Sequence, residues 1–145
     1  MISITRKFHF DAAHRLHGYD GCCSRTHGHR YVAEVTVSVE SLNAMGMVID
    51  FKALDDGIGG WIRRYWDHAF LICDQDPLAV KGQELEGFEG SFTMIGNPTA
   101  ENMALYLFDV CVRELGHRPV QVESVKIWET PDCCAEVKRE EIQTQ

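Results

Sequence analysis

The segment Tyr31-Val32-Ala33-Glu34-Val35-Thr36-Val37-Ser38-Val39 sets Tyr31, Ala33, Val35, Val37 and Val39 on one parity and Glu34, Thr36 and Ser38 on the other. Alternation of this kind predicts a β-strand with one buried face. His27-Gly28-His29 stands just before it, and both imidazoles share the parity of Tyr31. If the register runs back that far, His27 and His29 project to the same protected side, where they can hold one ion while Gly28 adds no bulk. His14, thirteen residues upstream of His27, can supply a third nitrogen. Three neutral imidazoles with one position open is the arrangement of a catalytic zinc rather than a structural one, the alternative being a hydrogen-bonded cluster without an ion. Three residues separate Cys23 from His27. Beside a cation and a histidine, that thiol is expected to have a depressed pKa and to act as base or nucleophile.

Working outward, Ile2, Ile4, Phe8 and Phe10 give a half-buried strand from Ile2 to Phe10. Phe51, Leu54, Ile58, Ile62 and Tyr65 recur at helical spacing behind Asp50, which is placed to cap the first turn. Gly57, Gly59 and Gly60 weaken this helix by about 1 kcal/mol each relative to alanine, so packing must hold it. A second helix starts at Asn97-Pro98-Thr99-Ala100-Glu101, carries the stripe Met103, Ala104, Leu107, Phe108 and Cys111, and stops at Gly116. Between them Asp74 to Gly96, rich in glycine and acids, reads as a long loop. Val125 and Ile127 open a third strand whose next same-parity residue is Glu129, a carboxylate in an apolar register. Pro131-Asp132 marks a turn, Ala135 and Val137 a fourth strand, and the tail from Lys138 to Gln145 is expected to fray. The order predicts one α+β domain over residues 1–145, a four-stranded antiparallel sheet with two helices on one face.

Composition narrows the function. The chain has 145 residues, 45% hydrophobic and 25% charged, enough for one core. A net charge of -8 argues against general affinity for nucleic acid or an anionic membrane. No signal-like run and no stretch near the ~20 apolar residues of a membrane span are visible, so a soluble cytoplasmic protein is expected. Of six cysteines, four form the adjacent pairs Cys22-Cys23 and Cys133-Cys134, and reduced thiols are the better reading. Cys73 and Cys111 read as core, and His9, His17 and His117 as surface residues. Asp11 and Glu34 are available to orient an imidazole. Asp67-His68 could form a relay that sets a thiol's protonation, although adjacent residues rarely bond each other in an extended chain.

Phe10-Asp11-Ala12-Ala13-His14, Cys23-x-x-x-His27-Gly28-His29, Val48-Ile49-Asp50-Phe51, Asp67-His68-x-x-Leu71, Asn97-Pro98-Thr99-x-Glu101 and Glu129-Thr130 occur in an order that resembles the 6-pyruvoyl-tetrahydropterin and 6-carboxy-tetrahydropterin synthase family. The resemblance implies the tunnelling fold, in which subunit sheets join around an axis into a barrel and two rings stack, here a homohexamer built as a dimer of trimers. It implies zinc held by His14, His27 and His29 against the side chain of 7,8-dihydroneopterin triphosphate, with Cys23 as general base. Asp67 and His68 would be the proton relay, usually contributed by a neighbouring subunit. Glu129 would accept two N–H groups from the pterin edge, which accounts for a carboxylate in an apolar register. Thr99 and Glu101 lie in the family's helix-start motif and would line the pocket. Lys7, Arg15, Arg25 and Arg30 are candidates to meet the triphosphate, with Arg25 the first choice.

Animal-type pyruvoyl synthases place five residues between the cysteine and His-Gly-His, and bacterial carboxy-type enzymes three, as here. The resemblance therefore points to the lyase of queuosine (7-deazaguanine) biosynthesis that releases triphosphate and acetaldehyde. A 6-pyruvoyl synthase, a dihydroneopterin side-chain lyase, and a zinc- or pterin-binding module without turnover are the alternatives. The chain departs from the family in its loop from Asp74 to Gly96, in Ile72 where asparagine is frequent, in Trp128 where lysine is common, and in Cys22, a second thiol beside the first.

Overall fold

A computed structural model of the chain describes residues 1–81 and 90–142. Two long strands, β1 (Ile2–His14) and β2 (His27–Val39), pair antiparallel without a break from Ile2↔Val39 to His14↔His27. Both extend further toward each other than the apolar alternation alone predicts, so the register does run back through the His-Gly-His. β5 (Gln121–Thr130) joins β2, and β6 (Cys133–Lys138) joins β5, again antiparallel. This quartet is the sheet that the sequence predicts.

The sheet nevertheless has six strands, in the order β4-β3-β1-β2-β5-β6. The short strands β3 (Ala69–Cys73) and β4 (Ser91–Met94) add to the free side of β1, each in parallel pairing. Ala69, Leu71, Ile72 and Cys73 are all buried, so β3 has no polar face to alternate with. The expected long loop is corrected accordingly: it holds β4 and α3 (Pro77–Lys81), and only residues 82–89 of it lie outside the described residues. Asp76 starts α3, its carboxylate accepting from the Leu78 amide at 2.9 Å. The tail is also more ordered than expected, with β6 followed by α5 (Arg139–Ile142); residues 143–145 are outside the described set.

One face of the sheet carries the helices. Asp50 caps α1 (Phe51–Leu54) as predicted, its side chain accepting from the Lys52 amide at 2.8 Å. A π-helical stretch (Asp55–Gly59) then leads into α2 (Gly60–Tyr65). That wider turn rotates the apolar stripe. Phe51 and Tyr65, assigned to the buried face by spacing, are exposed, and Trp61 and Trp66 take their place beside Leu54, Ile58 and Ile62. Gly59 sits where the helix crosses β1, and a Cβ there would stand 2.8 Å from Asp55 Oδ1 and 3.1 Å from the Phe8 ring. α4 (Ala100–Leu115) packs over β5 and β6 and buries all five residues of its predicted stripe. Its first turn is capped by Thr99, whose hydroxyl accepts from the Asn102 amide at 3.2 Å. Phe10 stacks on Tyr31 at 5.2 Å and meets Trp66 at 5.7 Å, tying the central strands to the helical layer.

Candidate metal centre and active site

The β1–β2 register builds the site. Even residues of β1 and odd residues of β2 face the helices, which aligns Phe8, Phe10, Ala12 and His14 with Ala33, Tyr31, His29 and His27. His14 lies directly opposite His27, with His29 one step along the same face. The three ring centroids form a triangle with sides of 4.5, 5.1 and 5.0 Å. Gly28 lets the strands close up, since a Cβ there would stand 3.2 Å from the Ala12 carbonyl oxygen.

Two main-chain carbonyls set the tautomers. His14 Nδ1 donates to Pro98 O and His27 Nδ1 donates to Arg25 O, both at 2.7 Å. A carbonyl only accepts, so each Nδ1 carries the proton and each Nε2 presents a lone pair. Those two Nε2 atoms face one another at 3.0 Å. Burial, reinforced by the neighbouring imidazoles and only partly offset by the Pro98 hydrogen bond, pushes His14 down to about 4. His14 is therefore neutral at neutral pH. His14, His27 and His29 are placed so that they could hold a cation together. His29 is likewise shifted down, first by burial, and the nearby Glu129 carboxylate opposes the shift.

The carboxylates expected to orient the imidazoles do not do so. Asp11 pairs with Arg30 at 2.8 Å and accepts a backbone hydrogen bond from His68, while Glu34 pairs with Lys7 at 2.9 Å on the opposite face of the sheet. The carbonyls of Pro98 and Arg25 take that role instead. Pro98 is itself held: Asn97 accepts from the His17 amide at 2.7 Å and donates to the His17 carbonyl at 3.0 Å, and Asn102 donates to Asn97 O at 2.8 Å. Thus the Asn97-Pro98-Thr99 segment, which the sequence marks as a helix start, also positions His14.

Cys23 lies in a single 3-10 turn (Cys22–Ser24) tied back by a 2.8 Å hydrogen bond from the Leu16 amide to the Cys23 carbonyl. Its pKa is raised rather than depressed as expected, first by desolvation, then by Cys22 beside it and by the Glu129 charge. No protein cation lies among the causes; the expected lowering would need the positive charge of an ion at the histidines.

Glu129 shares the helix-facing parity of Val125 and Ile127 and reaches the site at the end of β5. A register shift between Trp128 and Thr130 leaves it opposite no residue of β6, and bulges of this kind re-aim a side chain. Trp128 points to the other face, with Lys126 Nζ 5.7 Å from its ring centroid.

Asp67 and His68 contact each other at 3.1 Å, contrary to the rule for extended neighbours, because His68 adopts φ 59 and folds its ring back. They group with Asp11, whose amide donates to Asp67 Oδ1 at 3.0 Å, and not with the three histidines. His68 is 80% exposed. Of the four candidate cations, Lys7 and Arg30 are paired as above, and Arg15 is bound to buried Asp76 through two 2.6 Å hydrogen bonds. The exposed Arg25 has no carboxylate partner among the described residues. Thr99 is occupied as a helix cap, and Glu101 is exposed in the first turn of α4. Sequence reasoning missed Asn97, Asp76 and the hydroxyl of Tyr31; the Asp76-Pro77 pair was the one available signal, as a helix start.

A family model described as 6-pyruvoyl tetrahydropterin synthase matches residues 3–140. The 6-carboxy-5,6,7,8-tetrahydropterin synthase of Rickettsia bellii is 37% identical over 94% of this chain and 100% of its own. Among solved structures, a protein of Wolinella succinogenes superposes with a TM-score of 0.83 at 25% identity, covering 95% of this chain and 98% of that one. The 6-pyruvoyl tetrahydropterin synthase of Caenorhabditis elegans does so at 0.71 and 28% identity, covering 94% of each.

Proposed function

From the premise that the chain belongs to the 6-pyruvoyl tetrahydropterin synthase family of lyase-type enzymes, we propose that it is a zinc-dependent 6-carboxy-5,6,7,8-tetrahydropterin synthase. In this reading it converts 7,8-dihydroneopterin triphosphate and water to the 6-carboxy product, triphosphate and acetaldehyde, as a step of 7-deazaguanine (queuosine) synthesis. The observation that carries it is the pair of Nε2 lone pairs of His14 and His27 facing at 3.0 Å, with His29 beside them and Cys23 and Glu129 at the rim. Names of relatives support the carboxy branch, and so does the three-residue spacing from Cys23 to His27.

The donor set suits zinc: three imidazoles, two with their outer nitrogens already committed to carbonyls. When bound, zinc supplies the positive charge that holds the substrate's side-chain hydroxyls and makes the adjacent C–H easier to ionise. Cys23 takes the proton from that carbon. Asp67 fixes the ring of His68, which returns a proton as triphosphate departs; its exposure fits a role in a neighbouring subunit's site. Glu129 binds the pterin's flat pair of N–H donors and fixes the ring relative to Cys23. Arg25, with no carboxylate partner among the described residues, is the cation for the triphosphate, and Thr99 and Glu101 border the pocket where α4 begins.

The deciding experiment is product analysis on 7,8-dihydroneopterin triphosphate. Equal amounts of 6-carboxytetrahydropterin and acetaldehyde are expected; 6-pyruvoyl-tetrahydropterin without acetaldehyde would overturn the carboxy assignment. Cys23→Ala is expected to keep its zinc and lose about 10²–10⁴ in rate, whereas His14→Ala is expected to lose the zinc, measured by metal analysis.

A further inference from the structure

Tyr31 is entirely buried, and its hydroxyl has no hydrogen-bond partner among the described residues. A buried orphan of this kind is destabilising, so its surroundings call for explanation. The ring stands 5.3 Å from His29 and 5.8 Å from His14, edge-on to both. Across the sheet the β2–β5 pairing runs Val35↔Val125, Ala33↔Ile127 and ends at Val32↔Trp128, so Tyr31 and Glu129 are the residues that directly follow the last pair on the two strands. The phenol's pKa is raised first by burial and then by the charges of Glu129 and Cys23, which shows both groups near it. The hydroxyl is a donor without an acceptor among the described residues, beside a carboxylate that the β5–β6 bulge has released from strand pairing.

We propose that Tyr31 is a positioning residue for Glu129: when the pterin binds, its hydroxyl donates to one carboxylate oxygen and holds the carboxylate plane in line with the pterin's N–H pair. This rests on the assignment of Glu129 as the pterin anchor. Neither carboxylate oxygen is consumed, because each has two lone pairs. Tyr31 acts through Glu129 and touches neither the metal nor the reacting carbon.

The test is Tyr31→Phe beside Glu129→Gln, each titrated with 7,8-dihydroneopterin, which lacks the triphosphate, and each assayed for KM and kcat. Tyr31→Phe is expected to weaken dihydroneopterin binding and raise KM about tenfold, one factor-of-ten step of affinity, with kcat within about twofold. Its zinc content should be unchanged and its melting temperature equal or higher, since the deleted oxygen has no partner to lose. Unchanged binding in Tyr31→Phe with weakened binding in Glu129→Gln would overturn this proposal and leave the proposed function standing. A fall in kcat or in zinc with KM unchanged would overturn it too, placing the hydroxyl at Cys23 or the histidines. Unchanged binding in both variants would remove the pterin-anchor assignment and this proposal with it.

Discussion

His14 and Asp76 are charged or chargeable side chains only 2% and 1% exposed, and each is reached by a partner distant in sequence. For Asp76 that partner is Arg15, next to His14, and the fork-like pair with the Leu78 amide holds its carboxyl below the usual carboxylate range. Removing one member of such a pair costs about 3–5 kcal/mol, so Asp76→Ala should be destabilised by that order in denaturant melts at pH 7. The acid response follows from the sign of the shift. Above the unfolded value, about 3.9, the stabilisation is complete; as pH falls toward the lower folded value, only the unfolded chain takes up the proton and stability is lost. Asp76→Ala should show a shallower loss over that window. At this scale the grouping of His14, His27 and His29 was legible, because i and i+2 histidines on a strand project to one side. The partners of those imidazoles were not: Pro98 and Arg25 act through carbonyls that every residue type possesses. The Cys23 thiol is raised first by desolvation and then by Cys22 and Glu129, none of which the spacing to His27 reveals.

Among the elements, β1, β2, β5 and α4 could be read from periodicity, since each has one wet and one dry face. β3 and β4 could not, because a strand of five residues buried almost throughout has no contrast to read, and β4 has four residues. The helix over Phe51–Tyr65 was legible as a helix but not in phase, the π turn shifting its buried face by a residue near its end. Its glycines should separate in behaviour. Gly59→Ala places a Cβ within 3.1 Å of Phe8 and closer still to Asp55 and Arg63, and should cost about 1–3 kcal/mol by overpacking. Gly57→Ala meets nothing nearer than Glu114 Cβ at 4.0 Å and should stabilise by about 0.5–1 kcal/mol through helix propensity. Paired thermal melts check both, and equal shifts would contradict the close crossing of this helix over β1.

For the whole molecule, the separation of Asp67 and His68 from the histidine triad has a direct test. If the relay serves a neighbouring subunit, Cys23→Ala and His68→Ala, each inactive, should regain activity when unfolded together and refolded as mixed oligomers. Separately refolded and then mixed samples are the control; absence of rescue would place the relay in its own chain's site. Light scattering on the wild type should give the mass of six chains. Among the described residues no helix is long and apolar enough to cross a membrane. A further consequence lies in how Cys23 is mounted. The three histidines sit inside an uninterrupted ladder, where a one-residue insertion would turn every following side chain to the wrong face, but the thiol rides on the connection between the two strands. Residues added or removed between Cys23 and His27 would move the thiol without shifting the β1–β2 register that aligns His14, His27 and His29. The length of this one connection therefore sets where the thiol stands relative to the three imidazoles, independently of the strand pairing.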